Sequence, residues 1–190
     1  MPQDPYLSVL IKAIDQLAEL PVSWLPDKKL VQIKGILTDQ QPAELRNRKS
    51  KVHLSASAMV FSKNAGFFIR HPYLRTTLLP AGHVEPGELP INCAVREFHE
   101  ETGYQVKPES GQLIDVNLIA IPANPVKGES AHQHVDFRFH FLIEPGTRSN
   151  PELPVSLLTQ AQAPTDVCKY LHLSNQVIKL CQITKFIMPN

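Results

Sequence analysis

The sequence predicts an α/β protein in which a run of helices precedes a region of mixed strands and helices. Two observations carry this. Apolar residues recur at helical spacing at Leu7, Leu10, Ile11, Ile14 and Leu17, and again on the side of residues 89–102 that carries Ala94, Val95 and Phe98. Residues 52–62 and 134–143 instead alternate and are rich in β-branched, aromatic or small side chains, which is strand patterning. The 190 residues suffice for a domain with a sizeable core, and the 43% hydrophobic and 19% charged shares are ordinary for a globular chain.

Taken in order, Asp4-Pro5 offers an N-cap followed by a proline at the first helical position, so a helix is expected over residues 5–20, ended by Pro21. Asp27 caps a second helix with Leu30, Val31, Ile33 and Leu37 as its apolar face, and Pro42 starts a short third one that ends in the basic run Arg46 to Lys51. Residues 1–50 are therefore an N-terminal helical extension to a domain spanning 51–190. Two roles for it stand open, packing on that domain or making a homodimer. Trp24 is read as a packing anchor. Residues 52–62 form a strand, Lys63 to Gly66 a turn, and Phe67 to Arg70 the returning strand. A short strand at Leu78-Leu79 leads into an irregular loop forced by Pro80, Gly82, Pro86 and Gly87, then a helix over 89–102 stopped by Gly103. Strands follow at 113–121 and 134–143. Beyond Pro151, residues 153–165 read as a short helix or loop and 167–173 as a strand. Ser174 caps a last helix with Val177, Ile178, Cys181 and Ile187 inward.

The net charge of +1 gives no global attraction to nucleic acid or membrane, and no stretch approaches 18 apolar residues. Three cysteines without a Cys-x-x-Cys pair point away from both a disulfide framework and a zinc site, and toward a reducing cytoplasm. Cys93 reads as a small packing residue.

The most informative stretch is Gly82 to Tyr104. On a helix, Glu100 lies about 60° to one side of Glu97 and Glu101 about 40° to the other, so three carboxylates share a narrow stripe. Like charges at this spacing destabilise a helix by a few tenths of a kcal/mol. A solvated acidic face is one reading; a divalent cation held by oxygen ligands is the other, and Mg²⁺ favours a few carboxylates together with substrate phosphates. Arg96 lies one turn before Glu100, placed to brace the acidic group or to pair with Glu88.

Gly82, five residues, Glu88, seven residues, then Arg96-Glu97-Phe98-His99-Glu100-Glu101-Thr102-Gly103-Tyr104 resembles the Nudix box at every fixed position. Ala81 departs mildly from the second glycine that members often carry there. The resemblance implies a Nudix α/β/α sandwich with a mixed sheet. It implies a Mg²⁺-dependent (or Mn²⁺-dependent) hydrolase cleaving a diphosphate linkage in a small nucleotide: a nucleotide sugar such as ADP-ribose, a dinucleoside polyphosphate or a nucleoside triphosphate. It further implies Glu97, Glu100, Glu101 and the Ala81 carbonyl as metal ligands, with Arg96, Glu97 and Glu100 as catalytic residues. Gly82, Glu88 and Gly103 would shape the box. Glu97, Glu129, Asp136 and Glu144 are candidates for the base. The alternative is a Nudix scaffold that senses a nucleotide without cleaving it, against which the intact acidic triplet argues. Isomerase chemistry on an isoprenoid diphosphate lacks a suitably placed cysteine. A DNA-binding regulator lacks a basic stripe or helix-turn-helix.

A second loaded stretch is residues 131–140. In a strand, His132, His134, Asp136, Arg138 and His140 share one face and Val135, Phe137, Phe139 and Phe141 the other. Either the polar face is wetted, or it brings His134 and Asp136 to the acidic helix and Arg138 to a phosphate. A His-x-His-x-Asp run also suits a transition ion. Arg70, His71 and Arg75 precede the box, and the two arginines are candidate substrate-binding residues with His134, Asp136 and Arg138. His53, His83 and His99 are expected to face solvent.

Overall fold

The structure, a computed structural model, describes residues 4–20, 22–72, 75–124, 128–146 and 148–171. Helix α1 (Pro5–Ala18) starts where the Asp4 carboxylate accepts the Tyr6 and Leu7 N–H groups at 2.8 and 3.3 Å. Helix α2 (Asp27–Thr38) packs on α1, and a single turn, α3 (Pro42–Leu45), follows. Leu30, Ile33 and Leu37 are buried as expected, but Val31 is 65% exposed, because it lies about 100° round the helix from Leu30. Pro26, not Asp27, occupies the N-cap of α2, and Asp27 sits in its first turn.

The strands are β1 (Val52–Ser62), β2 (Ala65–Arg70), β3 (Thr77–Leu78), β4 (Ala81–His83), β5 (Gln112–Ile121), β6 (His132–Phe141) and β7 (Val155–Thr159). They form one mixed sheet in the order β3-β2-β1-β6-β5, with β4 pairing β1 and β7 pairing β2. The box helix is α4 (Pro90–Thr102), and the last described helix is α5 (Thr165–Leu171). The protein is thus a mixed α/β fold with helices flanking a sheet.

Two expectations fail in the last third of the chain. Residues 155–159, read as helix or loop, are a strand held antiparallel on β2, with Ala65 opposite Thr159 and Ile69 opposite Val155. Of residues 167–173, read as a strand, the described part 167–171 lies in helix α5, with Val167, Tyr170 and Leu171 buried at helical spacing. The helix expected after Ser174 lies outside the described residues.

The chain divides into two compact units. The first comprises Met1–Ala56, His83–Cys93 and Leu113–Arg138. Its core contains Leu10, Ile14, Leu17, Ile33, Leu37, Leu54, Val116, Val135 and Phe137. The N-terminal helices are tied in by polar contacts as well. Trp24 Nε1 donates to the Ile114 carbonyl at 3.2 Å, and Lys29 Nζ reaches fully buried Asp115 at 2.5 Å and Asn117 at 2.9 Å. Tyr6 donates to the Glu88 carbonyl at 3.2 Å, and its ring lies under Arg46. In β6 the Arg138 guanidinium reaches Asp136 at 3.4 Å, and the Ser55 hydroxyl donates to Asp136 at 3.1 Å. Gln133 N–H donates to the Lys51 carbonyl, so β1 and β6 ascend side by side.

The second unit comprises Ser57–Gly82, Ala94–Gln112 and Phe139–Asn190. Phe67 packs edge-on against Phe98 of α4 and against Tyr104, with ring centroids 5.5 and 5.0 Å apart. Burial of Phe67 and Phe98 anchors α4 on a side about 60° round the helix from Glu101. The C-terminal carbonyls of α4 are satisfied from residues 148–153. Arg148 Nε donates to Thr102 O, Ser149 N–H to Gly103 O and Glu152 N–H to Glu100 O. Gly103 has φ +73, and a Cβ there would strike the Ser149 carbonyl, so glycine is required twice over.

Candidate active site

In the second unit α4 carries Arg96, Glu97, Glu100 and Glu101 together. One guanidinium nitrogen of Arg96, Nη1, lies 2.7 Å from Glu97 Oε1 and 3.1 Å from Glu100 Oε2, so a single cation braces two carboxylates. The Glu97 side chain is 13% exposed and that of Glu100 42%. Glu97 lies flat over the backbone of Gly82: a Cβ built on Gly82 would fall inside the carboxyl group. Glu101 turns the other way and accepts the Ala81 N–H at 3.0 Å. Burial pushes the Glu101 carboxyl up to about 8; the Ala81 hydrogen bond opposes this, and the charges of Glu97, Glu152 and Glu100 add to it.

That pattern fits a hard divalent cation. The donors are carboxylate oxygens gathered within one helical turn, and their mutual repulsion, offset on one side by Arg96, is what a cation beside them would relieve. Glu152 belongs to this electrostatic group, although nothing near it in sequence marks it. Its position follows from the backbone bond it makes to the end of α4.

The other candidates are spread out. In the second unit Arg70 is exposed at the end of β2, where its N–H donates to the Pro154 carbonyl, and Arg75 is exposed in the following turn with φ 53. Glu144 is exposed, its N–H bonded to Gln105 O, and His99 is half-buried beside the Tyr104 carbonyl at 3.2 Å. In the first unit Glu88 accepts the Glu85 N–H at 3.0 Å, closing the box loop on itself, while Glu129 is exposed and bridges Asn124 through the backbone. Cys93 is fully buried and its thiol donates to the His83 carbonyl at 3.3 Å, as a packing residue would.

The polar face of β6 is not a wetted one. Asp136, Arg138 and His140 are 2%, 7% and 2% exposed, and His132 and His134 at the start of the strand are half-buried. Burial lowers His140 to about 4. The expectation that His53 faces solvent also fails, while His83, like His99, is half-buried. His53 is buried, and its ring lies 4.9 Å from His83, 4.8 Å from His132 and 4.6 Å from His134. Burial, reinforced by the neighbouring rings, lowers His134 to about 3. The His132-x-His134 run on β6 announces half of this four-ring group; the polar alternation His53-Ser55-Ser57 on β1 is the only trace of the rest.

The family model for the NUDIX domain matches residues 51–164. A protein of Lactococcus lactis subsp. cremoris (strain MG1363), described as a probable DHNTP pyrophosphohydrolase, is 45% identical over 163 residues, covering 85% of this chain and 96% of that protein. Among solved structures, the E. coli dihydroneopterin triphosphate pyrophosphohydrolase matches with a TM-score of 0.48 and 16% identity over 68% of this chain and 97% of its own. A UDP-X diphosphatase matches with a TM-score of 0.47 and 13% identity over 90% and 94%. The family model covers more than half of the chain, and the chain belongs to the Nudix family of hydrolases.

Proposed function

We propose that this chain is a Mg²⁺-dependent pyrophosphohydrolase acting on dihydroneopterin triphosphate, with cleavage between the α- and β-phosphates. Water adds to one phosphorus, the anhydride bond breaks, and a monophosphate and pyrophosphate leave. The reading of the substrate rests on the Lactococcus relative, whose likeness runs through nearly its whole length. The reading of the chemistry rests on one observation: Arg96 Nη1 bridging Glu97 and Glu100 beside Glu101.

Phosphoryl transfer asks a protein mainly for positioning and charge stabilisation. Glu97, Glu100 and Glu101, with the Ala81 carbonyl, are the residues that would hold Mg²⁺, which when bound neutralises phosphate oxygens and acidifies water. Arg96 is a positioning residue that keeps Glu97 and Glu100 at fixed separation. Glu100 is the more exposed of the two carboxylates it braces, which leaves an oxygen open toward a cation. Arg70 and Arg75, both exposed, are the candidate phosphate contacts. Residues 51–190 form the hydrolase domain, and residues 1–50 are an extension to it.

The test is a panel of dihydroneopterin triphosphate, GTP, ADP-ribose and a dinucleoside tetraphosphate, each with Mg²⁺ and with Mn²⁺. Product masses report the bond broken. The pterin triphosphate should give the highest kcat/KM, and Glu100→Gln should lower it by about 10²–10⁴-fold with an unchanged melting temperature. Absence of turnover on the whole panel would refute the reading, and equal turnover by Glu100→Gln would refute the role of that residue.

A further inference from the structure

The four histidines of the first unit are built as a ligand set. Their ring nitrogens, one from each of His53, His83, His132 and His134, all lie within 4.8 Å of one another. His132 Nε2 and His134 Nε2 are 3.1 Å apart. Zinc–nitrogen bonds of about 2.0–2.1 Å place neighbouring ligands of a tetrahedron about 3.3 Å apart, so this pair is close to one finished edge. The widest pair must close by roughly 1.5 Å, which small rotations of half-buried rings supply.

The rings are also oriented from behind. His53 Nδ1 lies 3.0 Å from the Ser50 carbonyl and His132 Nδ1 lies 2.7 Å from the Ser130 carbonyl. A carbonyl accepts only, so each ring donates from Nδ1 and carries its lone pair on Nε2. That is the arrangement by which metal-ligating histidines are held. His53 Nε2 is buried and has no hydrogen-bond partner among the described residues. A buried polar atom without a partner calls for an explanation.

We infer that His53, His83, His132 and His134 form a binding site for one zinc-class transition ion, separate in donor chemistry from the carboxylates of α4. Four imidazoles suit Zn²⁺ and its transition-metal neighbours and are poor ligands for Mg²⁺. All four positions come from the chain, so the site is closed and its role is structural. The ion joins the start of β1, β4 and the start of β6, three segments distant in sequence.

The test uses the full chain with its affinity tag removed, stripped with chelator and then titrated with Zn²⁺ under excess Mg²⁺, so that the carboxylates are occupied. One equivalent should bind. His132→Ala should weaken its affinity by about 100-fold or more, and His99→Ala, outside the cluster, should leave it unchanged. Cobalt in place of zinc should give the intense visible absorption of a tetrahedral nitrogen site in the unmutated chain, a readout that needs no variant to fold. A weak octahedral cobalt spectrum, the lack of a saturable equivalent, or zinc affinity indifferent to His132→Ala would each overturn the assignment.

Discussion

Gly82→Ala separates the position of the Glu97 carboxylate from the stability of the fold. The backbone at Gly82 needs no left-handed conformation, so alanine is not strained there. Its Cβ would, however, overlap Glu97 Oε1 and Cδ and stand 2.5 Å from Oε2. Ordinary carbon contacts lie at about 3.5–4.0 Å, so the carboxyl must retreat by at least about 1 Å. What retreats is the free end of a flexible side chain, and alanine also narrows the unfolded ensemble, so stability should change by less than about 1 kcal/mol. The retreat does stretch the 2.7 Å bond to Arg96 and so disturbs Glu100 on the same nitrogen. A misplacement of about 1 Å costs about 10²-fold in rate, or about 2.7 kcal/mol in the barrier. Steady-state pyrophosphate release and thermal melting, measured together, decide the matter: kcat/KM should drop about 100-fold with the melting temperature nearly constant. If kcat/KM stays within about threefold, the seat of Glu97 on Gly82 is not what positions the acidic stripe.

Two further outcomes follow from buried charge. His140 takes a proton near 6.5 in the unfolded chain and only near 4 when folded, with burial as the cause. Between those values the unfolded chain binds more protons, so this group's share of stability is complete above pH 6.5 and is lost on acidification toward pH 4. From pH 7 to pH 5 that amounts to about 2 kcal/mol. Urea unfolding of the parent and of His140→Phe should differ by this amount in their pH dependence, and identical profiles would remove His140 from the account. Lys29→Met takes the ammonium from Asp115, which is fully buried, and should cost about 3 kcal/mol in urea unfolding. A loss under about 0.5 kcal/mol would mean that α2 is held to β5 by apolar packing alone.

Much of this was readable in advance, for local reasons. The strand over 52–62 and the helix ending at Gly103 each carry their own patterning and stop signals, so their existence follows from a dozen residues. The failures came where neighbours decide. Residues 155–159 follow Pro151 and Pro154 and do not alternate cleanly, because the strand is completed by β2 and leaves Ser156 and Leu157 exposed. Residues 167–171, in the stretch read as a strand, contain Val and Tyr, whose β preference masks the i, i+3, i+4 spacing of Val167, Tyr170 and Leu171. The acidic stripe was legible because one helix carries all of it. The histidine group was legible only by half, since His132 and His134 share a strand while His53 and His83 arrive from elsewhere in the chain.

The polar row on β6 has a consequence for how the sheet assembles. Asp136 reaches Ser55 on β1 and Arg138 on its own strand, all within a buried layer. Because side chains alternate with period two, sliding β6 by a single residue would thrust Phe137 among these groups and strand two charges in grease. The row acts as a lock on alignment: any slide by an odd number of residues adds, to the loss of apolar contact, the cost of leaving an ion where no water reaches.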